Sequence, residues 1–387
     1  MLTKTRTMFL LASLTLLVCL PGVQALANAT FQANPVAATT PAPGSGTGQS
    51  LGPDQFPEGV NPLTGLPVTD PSLLSLPPAL ISVTNFPVSA RPQAGLSYAP
   101  YVYELFIGKG MTRYLALFYG EYPKSPVSST SQADLATDKA AIGPIRSGRL
   151  PYQTIRSLYN GFLVMASASS EVRSQLSSST NIFGSDNDDI NSALIDVTKL
   201  QSIAQANGSG KAPNLTGNLF DQKAPSAGGQ DAPKLWVFYN FYNQILWEYN
   251  PASQAYLRSQ DKADGSGKFY PSTDRLTDKQ LSFENVVVFF VEHKALNGEH
   301  TLIDLDLLYT RNKAYLFRDG KVYPIYWSTA SGDYEKQTGL LRPIRFVDAD
   351  GKPFPLKPGH TWVEIVDTSA TLSQTEPGLW KARFYAP

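Results

Sequence analysis

The N-terminal 55 residues confine any folded core to the rest of the chain. Lys4 and Arg6 precede an apolar run at 8–20, and Ala25-Leu26-Ala27 supplies the small-x-small pattern after which signal peptidase cleaves. This run is shorter than the roughly 20 residues that a helix needs to span a bilayer. We therefore predict a signal peptide over residues 1–27 and an extracytoplasmic protein, secreted or anchored to the outer face of the cytoplasmic membrane.

Cys19, the only cysteine, lies inside the apolar run. Leu16 to Cys19 partly resemble a bacterial lipoprotein cleavage site, in which the cysteine carries the lipid. Leu16 fits that pattern, whereas Val18 occupies a position that takes Gly, Ala or Ser. Cleavage after Ala27 is therefore favoured, with a lipid on Cys19 as the alternative, and we expect membrane contact only through the signal region or that lipid. A chain cleaved after Ala27 has no thiol, which excludes cysteine nucleophiles, thiolate zinc sites and disulfides.

The charge balance argues against a nucleic-acid partner. The full chain has 32 basic and 32 acidic residues, and removal of residues 1–27 takes away two basic ones, which leaves 30 against 32. Binding to a phosphate backbone requires an excess of Lys and Arg on one surface. We expect no interaction with nucleic acid.

Composition divides the remaining chain into segments. Residues 28–55 are a low-complexity linker of Pro, Gly, Ser and Thr, which cannot bury a core. We predict an N-terminal domain over 56–206, a connecting segment over 207–231, a C-terminal domain over 232–370 and a C-terminal tail over 371–387. The predicted fold class is α+β: a mixed α/β N-terminal domain followed by a mainly antiparallel, β-rich C-terminal domain.

Apolar runs rich in β-branched and aromatic residues predict most of the elements. In the first domain they indicate strands at 79–84, 98–107, 112–119 and 162–166, and helices at 151–159 and 171–176. In the second domain they indicate strands at 235–242, 244–249, 255–258, 285–292, 303–309, 314–317, 322–327, 345–347, 354–356 and 361–366. Asp319-Gly320 predicts a tight hairpin, because glycine accepts a positive φ.

Five sequence blocks, in order, resemble the YerB-like bacterial lipoproteins. They are NPLTGL at 61–66, ARPQAGL at 90–96, Tyr103-Glu104 with Thr112-Arg113-Tyr114, IGPIRSGR at 142–149 and LKPGHTW at 356–362. The resemblance covers about residues 58–367 and implies an envelope location. It implies no chemistry, because the family's domain (domain of unknown function 3048) has no known function. This chain departs from the family pattern at Asn214, where a histidine is usual, and in an extra stretch at 125–140.

Six polar residues of these blocks define a candidate ligand-binding site: Arg91, Glu104, Arg113, Arg146, Ser147 and Arg149. Glu104 and Arg113 flank a tight connection at 109–110, so we expect the hairpin to bring them together. Guanidinium groups bind carboxylate or phosphate through two parallel hydrogen bonds. We predict an arginine-rich cleft in the N-terminal domain, with Glu104 orienting the arginines. The alternative interpretation is a buried Arg–Glu network that holds two elements together.

These residues favour a noncatalytic binding or regulatory protein of the bacterial cell envelope, which recognises an anionic wall fragment or a partner protein. One alternative is a hydrolase or transferase of wall polymers that uses Glu104 as acid/base, with Ser147 or the arginines at the substrate. That chemistry needs a second carboxylate, such as Glu121, about 5–10 Å away in an open cleft. Another alternative is a pure protein-interaction module, with exposed Tyr and Trp as its contact surface.

The histidines do not form a recognisable metal site. His293, His300 and His360 lack the i, i+4 spacing of a helical metal pair. We interpret them as solvated loop residues, and we expect neither a metal nor another cofactor.

Overall fold

The computed structural model describes residues 50–123, 140–184 and 189–387. The predicted signal peptide, most of the predicted linker and nearly all of the extra stretch at 125–140 lie outside these residues. Within the described part of the chain, the strands are β1 Val60–Asn61, β2 Leu66–Pro67, β3 Ala79–Thr84, β4 Tyr101–Phe106, β5 Thr112–Phe118, β6 Ala141–Ile142, β7 Phe162–Met165, β8 Ser179–Asn181, β9 Ile195–Asp196, β10 Leu219–Phe220, β11 Gln230–Asp231, β12 Lys234–Asn240, β13 Asn243–Asn250, β14 Ala255–Gln260, β15 Tyr270–Pro271, β16 Ser282–Phe283, β17 Asn285–Val291, β18 His293–Ala295, β19 Ile303–Leu305, β20 Arg311–Arg318, β21 Lys321–Ser328, β22 Arg345–Val347, β23 Pro355–Leu356, β24 Thr361–Asp367, β25 Thr371–Glu376 and β26 Leu379–Arg383.

The α-helices of the described residues are few and short: α1 Pro151–Leu158, α2 Ser170–Arg173, α3 Val197–Asn207 and α4 Asp333–Thr338. Three 3-10 helices accompany them, at Pro71–Ser75, Val88–Ala90 and Leu96–Tyr98. Strands make up 39% of the described residues and helices 13%, so the fold is mainly β. The predicted β-rich character is thus shown, but mainly β describes the fold better than the predicted α+β class, because the helices cover the sheet without forming a layer comparable with it in extent.

An eleven-stranded mixed sheet forms the centre of the molecule. Its strands follow the order β11-β21-β20-β17-β24-β4-β5-β3-β7-β8, with β22 attached to β21. β24 runs parallel to both β17 and β4, so this part of the sheet is not antiparallel. Every residue of β3, β4, β5, β17 and β24 is buried. Strands covered on both faces read as continuous apolar runs, which is why the sequence marks them so clearly.

A seven-stranded sheet covers one face of the central sheet. It follows the order β15-β14-β13-β12-β26-β25, with β16 attached to β14. The interface between the two sheets is aromatic: the ring of Trp362 in β24 lies 5.4 Å from that of Trp247 and 5.2 Å from that of Phe283. The opposite face of the central sheet packs against α1, whose Tyr152 and Ile155 are fully buried.

The hairpin predicted at Asp319-Gly320 is confirmed. These two residues connect β20 to β21 with φ values of 54° and 72°, the left-handed pair that a two-residue turn of this kind requires. The strands on either side pair in an unbroken register, from Arg318 with Lys321 to Arg311 with Ser328.

The central sheet contains strands from both predicted domains, since β24 is hydrogen-bonded to β4. The division into two domains at 207–231 stays a prediction. The residues predicted as a C-terminal tail form β25 and β26, and β26 pairs in parallel with β12. Trp380, Ala382 and Phe384 of this segment are buried.

The C-terminal strands are expected to be essential for folding. Deletion of residues 371–387 removes two buried aromatic side chains, each worth about 3–5 kcal/mol in a core. This loss is comparable with the ~5–15 kcal/mol total stability of a typical protein. Circular dichroism on heating should show no cooperative transition, whereas deletion of residues 386–387 alone should preserve it. A melting temperature within about 5 °C of the wild type after the long deletion would contradict this role.

Candidate functional site

The register of the hairpin between β4 and β5 separates the predicted site residues. Glu104 lies opposite Tyr114, and Leu105 lies opposite Arg113. Because successive side chains of a strand point to opposite faces, Glu104 and Arg113 project from different faces of the central sheet. The expectation that the hairpin brings their side chains together is wrong. Arg113 is one residue away from Tyr114, the partner of Glu104, and side chains alternate between the two faces along a strand.

Glu104 faces the seven-stranded sheet and is fully buried. Its Oε2 accepts a hydrogen bond from Nη2 of Arg258 at 2.9 Å, and the same two groups form a buried salt bridge. Its Oε1 accepts from Oγ1 of Thr112 at 2.6 Å and from Nδ2 of Asn85 at 3.3 Å. The carboxylate of Glu104 is therefore paired and hydrogen-bonded, as a buried charge must be.

Arg258, in β14, reaches Glu104 from the opposite sheet. Its Nη1 donates to Oε1 of Gln260 at 2.9 Å and to Oγ of Ser272 at 2.8 Å. The guanidinium group also lies over the indole ring of Trp362, 4.7 Å from the ring centroid. Such cation–π contacts stabilise a desolvated cation. Arg258 thus connects the two sheets through one charge.

A second buried carboxylate, Glu364 in β24, lies beside Glu104 in the parallel register. Its Oε1 accepts from Nε1 of Trp247 at 2.8 Å, and its Oε2 lies 3.2 Å from the hydroxyl of Tyr239. Burial, together with the neighbouring charge of Glu104, raises the pKa of Glu364 to about 8. Glu364 is therefore mainly protonated at neutral pH, and Glu104 holds the negative charge that pairs with Arg258.

Glu104 therefore belongs to a buried Arg–Glu network, which was the alternative interpretation of the candidate site. Its arginine partner is Arg258, which was not among the predicted residues. This arrangement also argues against Glu104 as an acid/base catalyst, because a fully buried, salt-bridged carboxylate is out of reach of a substrate. Glu121, the proposed second carboxylate, instead accepts hydrogen bonds from Thr69 near the surface.

Arg91 borders the same network. Its Nε donates to the backbone oxygen and to Oδ1 of Asn85, at 3.1 and 3.0 Å, and its Nη1 donates to the backbone oxygen of Asp261 at 2.7 Å. Asn85 in turn donates to Glu104. Arg91 therefore belongs with Glu104 and lies on the other face of the sheet from Arg113.

The remaining predicted residues come together on the face of Arg113. Nη1 of Arg113 donates to the backbone oxygen of Ser147 at 3.0 Å, and Nη1 of Arg149 donates to that of Gly148 at 3.2 Å. Burial, together with the nearby charges of Arg149 and Arg146, lowers the pKa of Arg113 to about 9. The Nε atoms of Arg113, Arg146 and Arg149 are shielded from solvent, and none has a hydrogen-bond partner among the residues that the structure describes. No carboxylate among the described residues forms a salt bridge with any of them. We call Arg113, Arg146 and Arg149 the arginine cluster.

Backbone hydrogen bonds fix the loop that carries two of these arginines. The amide of Arg146 donates to the oxygen of Ser82 in β3 at 2.9 Å, and the amide of Gly148 donates to that of Ser167 at 2.9 Å. Gly148 permits this close packing, because a Cβ there would lie 2.5 Å from Sδ of Met165. The loop therefore presents Arg146 and Arg149, both partly buried, from a defined backbone.

Sequence reasoning missed Arg258 and Glu364. A signal for Glu364 was present, because a lone carboxylate inside the apolar run of β24 requires a buried partner. The same logic applies to Glu104 in β4. Arg258 lies at the end of its predicted strand, and nothing local distinguishes it from a surface arginine.

His293 differs from the predicted solvated loop residue. It begins β18 and is buried, with Nδ1 at 3.0 Å from the backbone oxygen of Val291 and at 3.6 Å from Oδ2 of Asp367. Within the described residues, no group of three or more His, Cys, Asp or Glu side chains is placed to hold a metal ion.

The sequence matches a known protein family in two segments. The N-terminal domain of a protein of unknown function (DUF3048) matches residues 63–220, and the C-terminal domain of that protein matches residues 236–363. The chain belongs to this family. The chain is also similar to the protein named "Putative lipoprotein YerB" of Bacillus subtilis (strain 168), which is 26% identical over 333 residues, or 81% of this chain and 89% of that protein.

A solved crystal structure has a similar fold. The crystal structure of the YerB protein from Bacillus subtilis gives a TM-score of 0.60 at 24% identity, with 79% of this chain and 96% of that chain covered. The YerB-like resemblance read from the five sequence blocks is thus confirmed. Among the described residues of the present chain, no helix has the length and apolar character needed to cross a bilayer.

Replacement of Arg258 should lower the free energy of unfolding. The Arg258→Met variant leaves the carboxylate of Glu104 unpaired, which costs about 3–5 kcal/mol in comparable buried pairs. Urea denaturation should show this loss in the free energy of unfolding. A double variant that adds Glu104→Gln should recover part of it, because it removes the unpaired charge. A single variant within about 1 kcal/mol of the wild type would contradict the network.

Glu364 should make stability fall as pH rises. Its pKa is higher in the folded state (about 8) than its usual 4.5, so between these values the folded protein binds more protons than the unfolded one. Stability from this group is complete below about pH 4.5 and is lost as pH rises through 8. The Glu364→Gln variant has a neutral side chain at every pH. The difference between its free energy of unfolding and that of the wild type should therefore shift in favour of the variant by a few kcal/mol from pH 5 to pH 8. Urea denaturation at several pH values measures the difference, and a constant difference would contradict the assignment.

Proposed function

We propose that this protein is a noncatalytic binding protein of the cell envelope and that the arginine cluster recognises an anionic ligand. The observation that carries this proposal is that the described part of the chain supplies no counter-charge to the cluster. Arg113, Arg146 and Arg149 converge, and no carboxylate of the described residues pairs with them. Three guanidinium groups that repel one another favour an added anion.

The chemistry of the cluster selects the ligand. Arginine binds carboxylate and phosphate groups through its planar fork. Arg146 and Arg149 are partly exposed, so an anion can approach them from solvent, whereas Arg113 adds charge from below. An acidic wall fragment, or an acidic segment of an envelope protein, has the required groups.

An envelope location is supported from two directions. The N-terminal sequence has the features of an export signal, and the relative in Bacillus subtilis carries the name of a lipoprotein. Whether cleavage occurs after Ala27 or a lipid is attached to Cys19, the folded part would face the outside of the cytoplasmic membrane.

The two alternative functions lack a comparable observation. The hydrolase or transferase alternative depends on Glu104, which is buried behind Arg258. The protein-interaction alternative depends on exposed Tyr and Trp, yet four of the five tryptophans are buried: Trp247, Trp327, Trp362 and Trp380. The exposed large aromatic residues of the described chain are Phe183, Phe241, Tyr242, Tyr270, Tyr309 and Tyr385.

A thermal-shift series tests the proposal. Phosphate, citrate and soluble acidic wall fragments should raise the melting temperature of the wild type, by an amount that corresponds to roughly 2.7 kcal/mol at 100 times the dissociation constant. The Arg146→Leu variant should fold and show no shift. The Arg275→Leu variant, which changes an exposed arginine, should respond as the wild type does.

Two outcomes would overturn the proposal. If Arg146→Leu unfolds the protein or costs more than about 3 kcal/mol, the cluster is a structural element, as for a buried ion pair. If none of the anions shifts the wild type, the cluster has no affinity for this class of ligand.

A further inference from the structure

We propose a second, separate binding site, which takes a small zwitterion that carries a carboxylate and an ammonium group and has the size of a single amino acid. The site is a pocket between the 88–93 segment and the β14–β15 region. Its polar lining includes Arg91, Gln93, Gln260, Asp261, Lys262 and Tyr270. We call it the Arg91–Asp261 pocket.

The size of the pocket limits its ligand. Its volume is about 220 Å³, which is below the roughly 300–1,000 Å³ of pockets that hold drug-sized molecules. A water molecule occupies about 30 Å³ of the liquid. The pocket therefore has room for several water molecules or for one small organic molecule, and a polymer could enter only with a terminal group.

Charges of both signs line this small space. Arg91 and Lys262 are cationic, and Asp261 is anionic. Nη2 of Arg91 and Oδ2 of Asp261 are both shielded from solvent and lack a hydrogen-bond partner among the described residues. Leaving such a buried charged atom unsatisfied costs more than leaving a neutral one. A ligand seated between the two residues can supply both missing partners.

The buried network holds these groups in place. Nη1 of Arg91 donates to the backbone oxygen of Asp261, so the cation and the anion are fixed relative to each other. Arg258 binds Gln260 in the wall of the pocket, and Asn85 binds Arg91 from below. A site with its polar groups positioned before binding loses less entropy when the ligand arrives.

Lys262 and Tyr270 complete the rim. Nζ of Lys262 lies 3.9 Å from the centroid of the Tyr270 ring, which positions the exposed ammonium group beside the pocket. The ligand carboxylate would contact Arg91 and Lys262, while its ammonium group would contact Asp261. A simple anion would meet the charge of Asp261, and a simple cation would meet those of Arg91 and Lys262, so only a molecule with both charges fits.

Burial supports the same pattern, since it lowers the pKa of Arg91 and raises that of Asp261. In both residues, burial disfavours the charged form. The Arg91–Asp261 pocket is independent of the arginine cluster, because the two lie on opposite faces of the central sheet.

Isothermal titration of the full chain with glycine, alanine, serine and glutamate tests the inference, with acetate and methylammonium as probes for one charge alone. At least one amino acid should bind with a dissociation constant below about 1 mM, and the single-charge probes should bind at least tenfold more weakly. Asp261→Asn should weaken amino-acid binding at least tenfold. Asp264→Asn, which changes an exposed carboxylate three residues away, should have no effect.

Further variants keep the test decisive. Lys262→Gln changes an exposed side chain, so it should weaken binding even if Asp261→Asn fails to fold. Arg146→Leu should leave amino-acid binding unchanged. This control distinguishes binding in the Arg91–Asp261 pocket from anion binding by the arginine cluster. The inference is overturned if no amino acid binds at about 10 mM, if acetate binds as tightly as the amino acids, or if Lys262→Gln and a folded Asp261→Asn variant both bind as the wild type does.

Discussion

The charge of Arg258, buried between two sheets, is the constraint on which the rest of the structure depends. A cation in an aromatic interior must meet an anion and have its hydrogen bonds satisfied, or the fold loses several kcal/mol. Glu104 supplies the anion from the central sheet, and Trp362 supplies a ring face from β24. Each partner lies on a different strand, so the pairing fixes how β14 sits over β4 and β24. A shift of one residue in either strand would turn a carboxylate to the other face of the sheet.

The second carboxylate makes this network asymmetric. Two ionised carboxylates beside one arginine would leave an excess negative charge in the interior, so Glu364 retains its proton and acts as a neutral hydrogen-bonding group. The network thus remains neutral overall while it connects both sheets. Its outer members, Gln260 and Asn85, hold the walls of the Arg91–Asp261 pocket, so the same interaction that joins the sheets also shapes a candidate site.

The central sheet separates the two candidate sites. Because its middle strands are buried on both faces, residues next to each other in sequence are directed to different surroundings. Glu104 belongs to the network beneath the pocket, whereas Arg113 belongs to the arginine cluster. Six residues that the sequence grouped as one cleft therefore fall into two places with different chemistry: one lined by both signs of charge, the other by cations alone.

Several elements were readable because their signals are local. The unbroken apolar runs of β3, β17 and β24 predicted strands within one residue of their observed ends, and Asp319-Gly320 predicted its turn. β25 escaped prediction because most of its side chains are exposed and polar, so no alternation marks it. α3 escaped because only Leu200 and Ala204 of its eleven residues are buried, although Asp196 caps it by accepting from two backbone amides.

The sequence by itself determined the family, the principal strands and the presence of charges that need partners. Only the tertiary structure decided which charges meet. Arg258 lies 154 residues from Glu104, and no local pattern states which distant strand will cover a given face. The period of a strand tells which residues share a face, but partnership across sheets follows from the packing of the whole chain. For this reason the arginines were identifiable from the sequence, and their division into a buried network, a pocket and a cationic cluster was not.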